Sequence, residues 1–254
     1  MQTHRMKFKD HFSNIAADYA RHRPKYPEEL FRYLASLVSK HDLAWDCATG
    51  SGQAAHGLVH FFQRIIATDA SIQQISHAVP HEHITYIVAP AEKSPLQVSS
   101  ADLTTVATAI HWFDFDKFYE EVNRVLRPGG VVAAWCYGHT NISQEIDAVS
   151  DVYRKDMVES YWPPERHFVE EEYRTIPFPF DEIVAPSFTL KQEWTMDDLI
   201  GYWETWSSSK MYVEKNRSNP VDKVRKELEK AWGDPAMKRD VRWPLFMRVG
   251  RKKE

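Results

Sequence analysis

Cysteine is scarce. Two residues, Cys47 and Cys136, stand in a chain of 254, too few for a disulfide framework or a four-thiolate zinc site. No stretch approaches the roughly 18 consecutive apolar residues of a membrane span. The opening MQTHRMKFKDHF has no apolar run of the kind that marks a secretory signal. Neither sign of charge dominates: 32 Lys and Arg stand against 36 Asp and Glu, formally −4, so a broad nucleic-acid-binding surface is not indicated. There is no GxSxG elbow and no Cys-Gly nucleophile motif. His77, His81 and His83 share a short stretch, but no i,i+4 histidine pair with an associated acid supports a zinc site. The expectation is a cytoplasmic protein, monomer or homodimer, with no metal and with neither nucleic acid nor membrane as a partner. Aromatic residues, by contrast, are plentiful. Nine Trp, 13 Phe and 11 Tyr exceed what packing usually requires, and some of them are expected to line a pocket.

At about 150 residues per domain, the length allows one or two domains. Segments of strand and helix character alternate through the first half. PEELFRYLASLVSK is a helix opened by Pro27, with acids in its first turn. LAWDCA, RIIATD, ITYIVA, ADLTTVATAI and VVAAWCY read as five short apolar strands. Between them lie helices over QAAHGLVHFF, SIQQISHAV (capped by Ser71) and DFDKFYEEVNRVL, the last stopped by PGG. This rhythm predicts parallel βαβ units with right-handed crossovers, that is, a doubly wound α/β sheet. After about Gly138 the rhythm breaks. Residues 139–180 are charged, aromatic and proline-bearing, as in YWPPERHF. APSFTLKQEWTM and DVRWPLFMRVGRK have strand character, with helical MDDLIGYWETW and VDKVRKELEKAW between them. A late strand pair, one member antiparallel, would bring the mostly parallel sheet to seven strands. The expected organisation is an N-terminal covering segment (1–27), a ligand-binding core (28–138), a helical and aromatic lid with a late strand (139–210), and a C-terminal helix with the closing strand (211–254).

The chemistry concentrates at Asp46-Cys47-Ala48-Thr49-Gly50-Ser51-Gly52, where a strand turns into a helix. Gly50 and Gly52 permit a tight turn and a close ligand approach. Asp69 ends the next strand, where a carboxylate typically accepts both ribose hydroxyls of an adenosine. Gly50-x-Gly52-x-x-Ala55 formally fits a dinucleotide fingerprint, so a nicotinamide-dependent oxidoreductase is one reading. Asp46 argues against it: a carboxylate at the mouth of the loop would repel a pyrophosphate, and no basic residue in the loop compensates. S-adenosylmethionine, with an adenosine, no phosphate and an ammonium group, fits Asp46, Gly50, Gly52 and Asp69 better.

DCATGSG, ATDAS, APAEKSPL, ATAIHWFD and VLRPGG occur in the order found in class I S-adenosylmethionine-dependent methyltransferases, and the chain resembles that family in its type 11 branch. HWF and the opening FSNIAADYARHRPKYP look like the branch that contains the trans-aconitate methyltransferases. The resemblance covers residues 8–138 best and implies a Rossmann-like sheet. It also implies site roles. Asp46, Ala48, Gly50 and Gly52 would surround the methionine part of the cofactor, with Ala109 beneath it. Asp69 would hold the ribose, beside Ala70 and Ser71, and Ala91 and Glu92 would meet the adenine. Tyr19 and Arg23 would fold over the cofactor, Arg23 toward its carboxylate. Ala48 departs from the family, which usually has glycine there. A positive φ at this position would tighten the approach.

His111, after the fourth strand, is the candidate catalytic residue, as a base, as a hydrogen-bond donor to substrate, or as a packed side chain. Trp112, Trp135, Tyr137, His139, Trp162, Arg166, Trp203 and Trp206 are candidates for the substrate side. The implied reaction is methyl transfer from S-adenosylmethionine to a small molecule, leaving S-adenosylhomocysteine. The branch resemblance points to a carboxylic acid and a methyl ester. A hydroxyl or amine acceptor would instead need help with proton removal from His111 or His139. A non-catalytic S-adenosylmethionine-binding protein is the remaining alternative.

Overall fold

The structure is a computed structural model and describes residues 23–253. Tyr19 and most of the expected covering segment lie outside the described residues. Helix α1 (Glu28–Ser36) starts directly after Pro27. It carries Glu28 and Glu29 in its first turn, where the helix dipole favours negative charge, and buries Leu30, Phe31, Leu34 and Ala35. The predicted alternation follows: β1 (Leu43–Cys47), α2 (Gln53–Leu58), β2 (Arg64–Asp69), α3 (Ile72–Ser76), β3 (Ile84–Val88), β4 (Ala101–Ala107), α4 (Phe115–Val125) and β5 (Leu126–Tyr137). These five strands are mutually parallel in the order β3-β2-β1-β4-β5.

Period-two alternation sorts the strand residues onto two faces, each covered by its own apolar cluster. Ala44, Val131, Ala133 and Trp135 join α1 and α2 on one side. Leu43, Trp45, Cys47, Val132, Ala134 and Cys136 join α4 on the other. Both faces are therefore dry, which is why these strands read as continuous apolar runs rather than alternating ones.

The second half contributes α5 (Gln144–Val152), which runs on through a π-helical turn over Tyr153–Val158, and two 3-10 turns, Glu159–Tyr161 and Pro164–Arg166. There follow α6 (His167–Glu170), β6 (Asp181–Glu182), β7 (Phe188–Trp194), α7 (Met196–Glu204), α8 (Ser207–Asn216), α9 (Arg225–Trp232) and β8 (Arg239–Arg251). β8 lies antiparallel against β5 on one side and against β6 and β7 on the other. The late pair is thus as expected, with β8 the reversed strand.

Three details differ from the sequence reading. The sheet has eight strands rather than seven, because the two-residue β6 pairs with Arg251 and Gly250. PGG does not stop α4. The helix ends at Val125 and the chain enters β5 at once, with RPGG looping out as a register shift between the Ala101–Leu126 and Leu103–Val131 pairs. Helix α8 was not expected: its sequence SSSKMYVEKN has no apolar stripe, and its buried face is built from Ser207, Ser208, Ser209 and Tyr212.

Candidate active site

Strand order places the β1–β4 pair at the point where the sheet reverses its winding, and ligands of such sheets bind beyond the carboxyl ends of the strands there. The glycine loop lies at that edge. Ala48, Gly50 and Gly52 all have positive φ, at 53°, 57° and 90°. Glycine suits position 52 on two counts: its φ is left-handed, and a Cβ on it would stand 2.3 Å from the Tyr86 hydroxyl, which would have to move. Thr49 N–H donates to Thr68 O at 2.9 Å, which pins the loop to the end of β2.

Asp46 is completely buried. Its Oδ2 accepts from Thr49 Oγ1 at 2.5 Å and its Oδ1 from Thr105 Oγ1 at 2.7 Å. Burial pushes its pKa up to about 6, against the pull of the two threonine hydroxyls. This corrects the sequence reading. The carboxylate does not open at the mouth of the loop but faces inward, where it braces the loop against β4. Cys47 is an inert thiol: burial, then the charge of Asp46, hold its pKa well above the ordinary value.

Asp69 sits as expected at the end of β2. Its Oδ2 accepts from Gly50 N at 2.9 Å and its Oδ1 from Ser71 N at 2.8 Å. Ser71 also caps α3 by accepting from Gln74 N. Ala70 is half-buried beside it, Ala91 is buried, and Glu92 accepts from Asp114 N at 3.2 Å while remaining partly exposed. Ala109 ends the turn after β4. Asp46, Glu92 and Asp69 all press on the same Cys47 thiol, and residues 46–52 and 69–71 contain no Lys or Arg. With no basic side chain in these two segments, nothing there would balance a pyrophosphate.

At the same edge of the sheet, a cavity of about 60 Å³ opens beyond β4 and β5, room for a few waters or a compact polar group. Of the predicted residues, the structure brings Arg23, His111, Trp112, Tyr137, His139, Trp162, Arg166 and Trp206 together in its wall. Arg23 donates to the Tyr137 hydroxyl at 2.7 Å and lies 5.4 Å from the Tyr202 ring. Arg166 stacks 4.6 Å from the Trp162 ring and pairs with Glu170 at 2.8 Å. The other Glu170 oxygen meets His139 Nε2 at 3.0 Å. Burial alone would raise the Glu170 carboxyl, but the His139 hydrogen bond and the Arg166 charge outweigh it and hold the pKa near about 2. His111 is buried, and burial together with the Arg166 charge lowers its pKa to about 3.

Two predicted substrate residues are core instead. Trp135 is fully buried two residues inside β5 and packs edge-on to Tyr26 at 5.5 Å. Trp203 is fully buried on α7 and stacks on Tyr153 at 4.5 Å and 12°. Sequence reasoning missed Thr108, Tyr202 and Ser207 in the cavity wall, and Tyr173 behind it. Thr108 has φ 55°, an outlier for a β-branched residue. Nothing in its local sequence signals this.

A methyltransferase-domain family model matches residues 45–134. A Dictyostelium discoideum protein named as a methyltransferase is 34% identical over 97% of this chain and 96% of its own length. The chain belongs to the methyltransferase family. A solved structure from Anaeromyxobacter dehalogenans, named as a type II methyltransferase, is 43% identical with TM-score 0.86, covering 91% of this chain and 98% of that one. A Saccharomyces cerevisiae relative, named as the S-adenosylmethionine-dependent methyltransferase CRG1, is 26% identical over 58% of this chain and 53% of its own. The methyltransferase is thus an S-adenosylmethionine-dependent enzyme of the class I, Rossmann-like fold. These relatives establish the family and leave the trans-aconitate branch as an expectation. Among the described residues, no helix is long and apolar enough to cross a membrane, and no group of three or more His, Cys, Asp or Glu is placed to hold a metal ion.

Proposed function

We propose that this methyltransferase methylates a small carboxylic acid, forming a methyl ester. The observation that carries this reading is the pair of guanidinium groups, Arg23 and Arg166, in an aromatic-walled cavity whose wall includes Thr108 and Tyr137, at the carboxyl ends of β4 and β5. Arg166 pairs with Glu170, and the two guanidinium groups give the wall donors that suit a carboxylate. Trp162, Trp206 and Tyr202 would exclude water from it, which strengthens the charge pairing. Trp162, Pro163, Arg166, Tyr202, Trp206 and Ser207 all come from residues 139–210, so we assign that region as the lid over the acceptor, with 28–138 as the cofactor-binding core and 211–254 closing the sheet.

S-adenosylmethionine supplies, when bound, a methyl group on a sulfonium that leaves as a neutral thioether. The chain then has mainly to position and desolvate the two reactants. Asp69 would hold the ribose hydroxyls, with Ala70 and Ser71 beside it. Ala91 and Glu92 would meet the adenine. The backbone of Ala48, Gly50 and Gly52, with Ala109, would contact the methionine part, and Asp46 would act by bracing that backbone. Arg23 would serve the acceptor rather than the cofactor, since it lies in the cavity wall on Tyr137.

The test is a screen of carboxylic acids with radiolabelled methyl donor. Label is expected in an alkali-labile ester, with the activity lost in Arg166→Leu. A preference for amine or phenol acceptors, with no carboxylate methylated, would refute the reading.

A further inference from the structure

His111 has one ring nitrogen committed inside the protein: its Nδ1 lies 2.8 Å from the Tyr173 hydroxyl. Tyr173 is completely buried, and among the described residues its hydroxyl has no other hydrogen-bond partner. A buried phenol proton needs an acceptor, and Nδ1 is the one within reach. A neutral imidazole that accepts at Nδ1 carries its proton on Nε2. That nitrogen has no partner among the described residues, and His111 lines the acceptor cavity. We propose that Tyr173 is a positioning residue that locks His111 in its Nε2–H tautomer, and that His111 is a fixed, neutral hydrogen-bond donor to an acceptor oxygen rather than a base.

The fold holds this contact under constraint. Glu172 and Tyr173 have φ of 57° and 61°, a left-handed pair that non-glycine residues rarely form. Arg248 clamps the turn. Its Nη1 donates to the carbonyls of Tyr173, Arg174 and Ile176 at 3.0, 3.3 and 3.1 Å, and its guanidinium pairs with Glu182 of β6. The extra two-residue strand thereby anchors the arginine that holds the tyrosine that orients the histidine. The charged and titratable groups grouped with His111 around the cavity are Arg166, Arg23, His139, Glu170, Tyr137 and Tyr202, with Tyr173 behind it. Burial first, and Arg166 second, keep His111 uncharged at neutral pH.

This inference rests on the acceptor pocket assigned above and narrows its chemistry. A donor-only imidazole suits an oxygen that already carries its lone pair and charge. Methyl transfer to a carboxylate forms one O–C bond as one C–S bond breaks, with the bonding pair leaving on sulfur. No proton moves, so a donor suffices where a base would be idle.

The test uses the full-length protein with 13C,15N-labelled histidine, the His111 signal being assigned by its loss in His111→Gln. The wild-type signal is expected to show the Nε2–H tautomer and to stay unshifted between pH 5.5 and 8, which spans the ordinary histidine pKa of about 6.5. In Tyr173→Phe the tautomer signature should change, while thermal unfolding still shows a folded protein. An Nδ1–H tautomer in the wild type, or titration of His111 near pH 6.5, overturns the proposal. So does an unchanged signature in Tyr173→Phe. Activity gives a second arm. His111→Gln, whose amide places a donor near the Nε2 position, should keep activity within about tenfold, and His111→Phe should lose about 10- to 100-fold. Equal losses in the two folded variants would instead indicate base catalysis. If the wild type methylates no carboxylate at all, the acceptor reading falls, while the tautomer measurement still decides the role of Tyr173.

Discussion

Replacing Asp46 by Asn tests the inward-facing carboxylate directly. In the folded chain its pKa is raised from 3.8 to about 6 by burial, so the folded state binds this proton more tightly than the unfolded state does. The acid form therefore favours folding. Its contribution is fully present below about pH 4 and is lost as pH rises through about 6. A shift of about two units corresponds to about 3 kcal/mol. Asn is nearly isosteric. Its carbonyl can accept from one threonine hydroxyl while the other hydroxyl turns to accept from its NH2, so Thr49 and Thr105 stay satisfied. Urea unfolding of both proteins should be measured at matched pH from 4 to 7.5. Subtracting the two free energies removes the other titrating groups. Relative to Asp46→Asn, the wild type should lose about 2.5 kcal/mol across that range, mostly between pH 4 and 6. A flat difference, or a wild type that gains relative stability as pH rises, would show a carboxylate already comfortable as an anion, and the buried, inward-facing placement would be wrong.

Asp69→Ala should weaken S-adenosylmethionine binding about 10- to 100-fold by calorimetry, from lost charged hydrogen bonds; unchanged affinity would remove the ribose assignment. Ala48→Gly should stabilise the protein by about 1 kcal/mol in urea unfolding, because Ala48 is held at φ 53° where only glycine avoids the steric cost. A loss of stability there would mean that the left-handed turn is not maintained. The two classes of tryptophan should separate cleanly. Trp203→Ala should cost about 3–5 kcal/mol of stability as a core truncation, whereas Trp162→Ala, partly exposed in the cavity wall, should cost clearly less and raise the KM for the acceptor. The reverse pattern would exchange their assignments.

What the sequence discloses is what local rules govern. The βαβ rhythm, Ser71 as a cap and Asp69 at the end of β2 follow from periodicity, hydrogen-bonding chemistry and spacing, and all three appear in the structure. The direction in which Asp46 points was not legible, because its partner Thr105 lies on β4 and only strand pairing brings the two together. The same holds for His111 and Tyr173, 62 residues apart, and for Arg248 reaching back to the turn that carries Tyr173. Trp135 and Trp203 were placed near substrate because aromatic residues serve pockets and cores alike. Burial separates these uses, and in residues 139–210 no simple period reports it. α8 was hidden for the opposite reason: its buried face is made of serines, which a hydrophobic pattern cannot see.

Strand β8 carries a consequence for synthesis. It is the final segment of the sheet, yet it sits between β5 and β7. While the ribosome is still adding residues 195–238, β5 has a bare flank and β7 has nothing to zip onto. Open strand flanks invite pairing with other chains. The nascent enzyme thus passes through a stage with a gap in the middle of its sheet, filled only when residues Arg239–Arg251 clear the exit tunnel. Chains terminated before Arg239 should accumulate as chaperone clients rather than as smaller, working versions of the enzyme.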